Sequence, residues 1–251
     1  MIPLRDANPT RRTPVVTLAI VVACFVAFAW ELGLQASSDA TLNAFIVEWG
    51  VVPADLGAAW DGGASPSQEV ATLFSSQFLH GGWLHLLGNM LYLWIFGNNV
   101  EDRLGRVRFL VFYLGGGVAA GLAQTAIDPG STTPMIGASG AIAATLGAYL
   151  VLYARARITT LVFLGFFYQL INVPAVVVLA FWFVLQLVDG IASLGVTEAT
   201  GGVAFFAHIG GFVFGVLVAV LVAAVLAGRA RASGAAGRRG PGGPAPAAPV
   251  G

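Results

Sequence analysis

The sequence predicts an all-α polytopic membrane protein with six transmembrane helices, and three observations predict it. Of its 251 residues 57% are hydrophobic and only 10% charged, where a soluble domain carries roughly 25%. Apolar runs recur at about 14–34, 83–100, 107–127, 136–154, 172–193 and 203–228, most of them approaching the ~20 residues that cross ~30 Å of hydrocarbon. The basic residues are all arginine, and with six spans every cluster of them falls on one side: Arg5, Arg11 and Arg12; Arg103, Arg106 and Arg108; Arg155 and Arg157; Arg229, Arg231, Arg238 and Arg239.

The opposite loops hold only acids, among them Asp39, Glu48, Asp55, Asp61, Glu69, Asp128 and Glu198. The positive-inside rule then places both termini in the cytoplasm of a plasma-membrane protein. Residues 1–13 form a cytoplasmic segment and 14–228 the membrane domain. The first span follows Arg11 and Arg12 and contains Ala27-Phe28-Ala29, which resembles a signal-peptide cleavage site. Trp30 directly after that site and the apolar run to Leu34 favour an uncleaved span.

Residues 35–82 form an outer loop that mixes apolar and polar positions. Its Trp49 and Trp60 suit the headgroup level. The second and fourth spans are short and recruit flanking residues. Ile158–Gln169 is apolar but too short to cross. It reads as an interfacial segment leading into the fifth helix, with Pro174 near that helix's start; as a seventh span it would place the last arginine cluster outside. The tail 229–251, rich in Gly, Pro and Ala, is expected to be disordered.

Composition also excludes function classes. Formal net charge is zero, which gives no basic surface for nucleic acid. The lone Cys24 forms no internal disulfide. The histidines His80, His85 and His208 raise the question of haem or metal, but no acidic or cysteine ligand shares their depth, so no metal and no cofactor is expected. Mid-span charges are scarce and no half-repeat is evident, which argues against a transporter.

Polar groups in a bilayer are costly and mark function. His85 and Asn89 lie four residues apart on one face of the second span. Ser139 lies near the outer end of the fourth, and His208 a few residues into the sixth. Even spans run inward, so these residues share one depth near the outer surface. Each alone has a bland explanation: Ser139 as helix-packing glue, His208 as a helix-contact histidine, His85 and Asn89 as interhelical hydrogen bonders. Together they suit acyl transfer, with a histidine taking the serine proton and the His/Asn pair and the Ser139 N–H donating to an oxyanion. Asp189 is the only carboxylate candidate for orienting His208, and a Ser–His pair without an acidic third member is the simpler reading.

These residues resemble the rhomboid family of intramembrane serine proteases. His80-Gly-Gly-Trp-Leu-His85-Leu-Leu-Gly-Asn89 is similar to the family's His-x4-His-x3-Asn signature. Gly97, Glu101 and Gly105 match its G-x3-E-x3-G turn, Gly137-Ala138-Ser139-Gly140 its G-x-S-G, and Ala207-His208-Ile209-Gly210-Gly211 its A-H-x-x-G, with Gly211 and Gly215 in small-x3-small spacing. The resemblance covers about residues 70–225 and implies a rhomboid-like bundle. It implies Ser139 as nucleophile, His208 as base, His85 and Asn89 at the oxyanion, and a structural Glu101. It also implies single-span membrane proteins as substrates, and the fifth helix with the loop from about Ser193 to Gly202 as gate and cap. A non-catalytic rhomboid-like binder of membrane clients is the alternative. Two departures stand out. The outer loop lacks the family's frequent Trp-Arg pair. Ala143 stands where some members stack a tyrosine on the histidine, which leaves His208 to other packing, with Phe205 and Phe206 as candidates.

Overall fold

The chain enters as a strand, β1 (Ile2–Asp6), before its first long helix, α1 (Val15–Ser37). The structure is a computed structural model that describes residues 2–60, 62–63, 65–164, 167–193 and 204–238. Three short helices follow, α2 (Asp39–Trp49), α3 (Pro53–Trp60) and α4 (Pro66–Ser75), then a 3-10 turn at Ser76–Phe78. The second span is α5 (Trp83–Tyr92), a π-helical stretch at Leu93–Gly97 and α6 (Asn98–Leu104). The others are α7 (Arg106–Ile127), α8 (Ser139–Leu152), α9 (Ala175–Ser193) and α10 (Phe205–Arg238). Among the described residues four helices are long and apolar enough to cross a membrane: α1, α7, α9 and the first 24 residues of α10. Outward positions such as Val22, Val26, Val111, Leu217 and Leu221 are exposed and apolar. Water penalises such a surface and lipid does not.

At the centre is α8, buried continuously from Gly140 to Tyr149. Its 14 residues span only about 21 Å, so at least one end is recessed from the membrane surface. The segment between α1 and α5 is tied to the loop before α8. Val51 bridges Met135, Ala54 N–H donates to the Ser131 carbonyl and Gly137 N–H to the Ser76 carbonyl. The His80 N–H donates to the Glu31 carboxylate on α1. These bonds hold the loop in place without a Trp-Arg pair.

At the arginine-bearing end, Glu101 closes the turn between α6 and α7. Its carboxylate accepts from Val16 N–H at 3.0 Å, and from Thr17 N–H and Thr17 Oγ1 at 2.8 Å. The first turn of a helix leaves N–H groups unpaired and carries partial positive charge, so an anion from α6 caps α1. Gly97 packs against Thr17 from the same side, and Gly105, at φ +83°, makes the sharp step from α6 into α7.

The sequence reading needs correction around residue 158. The expected interfacial segment Ile158–Gln169 is a β-hairpin, β2 (Arg157–Leu164) and β3 (Phe167–Pro174). β1 joins its other side, giving an antiparallel sheet in the order β1-β2-β3. The succession Ile158-Thr159-Thr160-Leu161-Val162 is rich in β-branched residues that fit a pleated surface. Ile158 and Thr160 bury one face, and Pro3 sits on the edge strand, where a missing N–H is tolerated. The sheet packs on the helical bundle through Ile158, which joins its apolar core. It also delays the fifth helix from the expected 172 to Ala175, because Asn172–Pro174 complete β3. Helix α10 runs to Arg238, so residues 229–238 are helical where disorder is expected; four of them are alanine, the best helix former. The expected cap loop beyond Ser193, Asp61, Glu198 and the tail from 239 lie outside the described residues.

β1 is pinned to the bundle through Asp6, whose Oδ2 accepts from Asn99 Nδ2 and from Tyr149 Oη. Burial raises the Asp6 carboxyl above its ordinary value of 3.8, and the Tyr149 hydrogen bond only partly offsets this. The folded chain therefore holds this proton more tightly than the unfolded chain. That stabilisation is complete below the ordinary value and is lost as pH rises through the raised one. Asp6→Asn keeps an accepting oxygen without the charge. It is expected to raise the unfolding temperature in micelles near neutral pH and to flatten its pH dependence. Asp6→Ala removes the acceptor of the Tyr149 hydroxyl and of one of the two Asn99 Nδ2 hydrogen bonds and is expected to cost roughly 1–3 kcal/mol.

Candidate active site

Three helices begin at the end of the bundle opposite the arginines, and each brings one part of the site. α5 starts at Trp83 after Gly82 at φ +155°, which places His85 and Asn89 in its first two turns. α8 starts at Ser139 itself. Its first intrahelical bond runs from Ile142 N–H to the Ala138 carbonyl, so the Ser139 N–H lies outside the helical ladder, at the positive end of the helix dipole. α10 starts at Phe205. Gln124 of α7 caps it, its Oε1 accepting from Phe206 N–H at 3.1 Å and Ala207 N–H at 3.3 Å. His208 stands on the first turn that this cap fixes.

Glycines bring α8 and α10 together. A methyl group at Gly211 would overlap the Gly140 carbonyl oxygen, one at Gly215 the Ala144 carbonyl oxygen, and one at Gly147 the Phe212 carbonyl oxygen. On its α7 side, Gly140 packs against Ala120. Small residues allow this backbone approach where lipid supplies no hydrophobic drive between helices. Gly137 is required twice over: its φ is +126°, and a Cβ there would stand 2.7 Å from His85 Nε2.

The approach puts Ser139 Oγ 2.8 Å from His208 Nε2. The other ring nitrogen, Nδ1, is 2.6 Å from Gln186 Oε1 on α9. The aromatic ring beside His208 is Trp182, with centroids 6.0 Å apart and planes at 42°. Trp182 takes the packing role for which the sequence nominates Phe205 and Phe206. Both ring nitrogens of His208 are thus engaged without Asp189.

Ser139, His208, His85, Asn89, Tyr92 and Trp182 line one cavity of about 680 Å³. Asn89 is buried and its Nδ2 has no hydrogen-bond partner, a donor aimed at nothing in the protein. His85 Nδ1 accepts from Gly81 N–H at 3.4 Å, which leaves the ring proton on Nε2. His80 packs edge-on against His85 at 5.2 Å, and its own Nδ1 contacts the Phe78 carbonyl. Among the described residues no group of three or more His, Cys, Asp or Glu side chains is gathered to hold a metal.

All four polar residues singled out in the sequence therefore share one cavity. Reasoning from the sequence missed Gln124, Gln186, Trp182 and Glu31. The glutamines carried a readable signal, since each is a polar side chain in an apolar span; which partner each would meet depends on helix packing. The α8–α10 contact is open to a direct check. Gly215→Leu is expected to push the helices apart, lowering the unfolding temperature and the reactivity of Ser139 toward a fluorophosphonate, while Gly228→Leu, which meets open space, leaves both near wild type.

The Rhomboid domain family matches residues 67–225. Rhomboid protease GluP of Bacillus subtilis is 44% identical over 72 residues, 29% of this chain and 14% of that protein. Putative rhomboid protease YdcA of the same organism is 36% identical over 78 residues, 31% of this chain and 39% of that protein. Rhomboid protein 1, mitochondrial, of Saccharomyces cerevisiae is 33% identical over 176 residues, 66% of this chain and 46% of that protein. The chain thus spans less than half the length of each of these relatives. With its helical bundle and the breadth of the domain match, the chain belongs to the rhomboid family.

Proposed function

We propose that this chain is an intramembrane serine endopeptidase that cleaves transmembrane segments of single-span membrane proteins through a Ser139–His208 dyad. The carrying observation is the 2.8 Å contact between Ser139 Oγ and His208 Nε2 in a cavity that also holds unspent hydrogen-bond donors. Ser139 Oγ attacks the scissile carbonyl carbon as His208 Nε2 takes its proton. The carbonyl oxygen becomes an oxyanion and accepts hydrogen bonds from Asn89 Nδ2, His85 Nε2–H and the Ser139 N–H. Collapse breaks the C–N bond, and His208 returns the proton to the leaving amine, leaving an acyl ester on Ser139. Water, deprotonated by the same imidazole, then hydrolyses the ester and frees the serine.

The setting follows from the same reading. Residues 14–228 act as the membrane domain, with 35–82 lying over its outer face. The arginine clusters support a plasma-membrane protein with both termini cytoplasmic, so the site opens away from the cytoplasm. Polar side chains at membrane depth are tolerated where they line a wet cavity, and hydrolysis needs that water. By its family likeness α9 serves as the gate through which a substrate helix reaches Ser139. No metal and no cofactor takes part in this mechanism.

Ser139→Ala is expected to abolish cleavage of a reconstituted single-span substrate while leaving insertion and unfolding temperature unchanged; cleavage at the wild-type rate would end this reading. His208→Ala is expected to be equally inactive. Asn89→Ala removes one oxyanion donor and is expected to slow kcat by about 10²–10³-fold rather than abolish it, as single-turnover kinetics can measure. Covalent labelling of Ser139 by a fluorophosphonate separates a protease from a binder of membrane clients.

A further inference from the structure

We infer that Gln186 is a positioning residue for the base: its side-chain carbonyl, delivered by α9, fixes the tautomer and orientation of His208. The inference rests on the dyad proposed above and adds the group that orders it. His208 Nδ1 and Gln186 Oε1 are 2.6 Å apart. A carbonyl oxygen only accepts, so Nδ1 carries the hydrogen and donates it. A neutral imidazole has one ring proton, so Nε2 is left as the acceptor. That is the nitrogen 2.8 Å from Ser139 Oγ. The reverse tautomer would place an N–H against the serine hydroxyl and leave no base for its proton.

Among the described residues the groups facing His208 are few. Ser139 comes from α8, Trp182 and Gln186 come from α9, and His85 lies across the cavity on α5. When Nε2 takes the serine proton the ring becomes an imidazolium, and Nδ1–H stays on Gln186 Oε1. The amide dipole then points its negative end at the new charge without adding a charge of its own. A carboxylate there would cost far more to desolvate in an apolar bundle. A neutral acceptor thus does the orienting work for which the sequence offered only Asp189. The fixed acceptor is on a different helix from both reacting groups, so the competence of the base depends on α9 being seated.

The test uses the full chain in proteoliposomes with a single-span substrate, comparing wild type, Ser139→Ala, Gln186→Ala and Gln186→Glu. Unfolding temperature is followed for each, and the rate of fluorophosphonate labelling at Ser139 for the three that keep the serine. Gln186→Ala is expected to lower kcat and the labelling rate by about five- to tenfold, the worth of one neutral hydrogen bond, with KM within about twofold of wild type. Gln186→Glu restores an acceptor and adds a negative charge that favours the imidazolium. It is expected to recover labelling at high pH and to move the acid limb of the kcat–pH profile to higher pH by about one unit or more. A structural role alone would not move that limb. If Gln186→Ala keeps the wild-type kcat, or if the Gln186→Glu profile superimposes on the wild-type profile, the assignment is wrong while the dyad stands. If Ser139→Ala cleaves like wild type, the dyad and this assignment fall together.

Discussion

The constraint on which the rest of this structure depends is how closely two backbones approach. α8 and α10 touch through carbonyl oxygens lying where a side chain on Gly211, Gly215 or Gly147 would be. No methyl group fits at those three positions. Helices in lipid gain nothing from hiding apolar surface from each other, since the solvent is equally apolar. What holds them is dense van der Waals contact, which falls away within an ångström. The reach of a serine to a histidine is therefore set by residues with no chemistry of their own.

Around that seam the buried polar groups are paired to different degrees. At the arginine-bearing end they are satisfied: Glu101 is saturated by Val16 and Thr17, and Asp6 by Asn99 and Tyr149. At the other end Asn89 Nδ2 is left without a partner beside the cavity. A buried donor with nothing to bond normally costs about 1–3 kcal/mol. Such a cost next to a cavity is what a site pays when its donors wait for a charge that arises only during reaction. Of the buried polar atoms without a partner among the described residues, Asn89 Nδ2 is the one whose residue lines this cavity.

Much of this was legible in the sequence, for definite reasons. Hydropathy and the one-sided arginines fix the spans, because the bilayer allows so few structures across it. Ser139, His208, His85 and Asn89 stood out as polar groups at one depth, and a depth can be counted along a helix axis. Rotation about that axis is harder to count. Whether Gln186 or Asp189 meets His208 depends on which face of α9 turns inward, and α9 is apolar nearly all round. The sheet escaped notice for another reason. β2 has the composition of a strand, but its partner β1 lies more than 150 residues earlier in the chain, and nothing local announces the pairing. The loop before α8 shows the same limit, since its Met135 pairs with Val51, far away in the chain.

The π-helical stretch at Leu93–Gly97 has a geometric effect beyond its own turn. One helix there serves two masters: Asn89 faces the cavity near one membrane surface, and Asn99 and Glu101 serve β1 and α1 near the other. A regular helix would link their bearings rigidly, at about 100° per residue. The wider turn, with its i→i+5 bonding, absorbs one extra residue and resets the phase. The two halves of this span can thus be aimed separately, as though a swivel joined them.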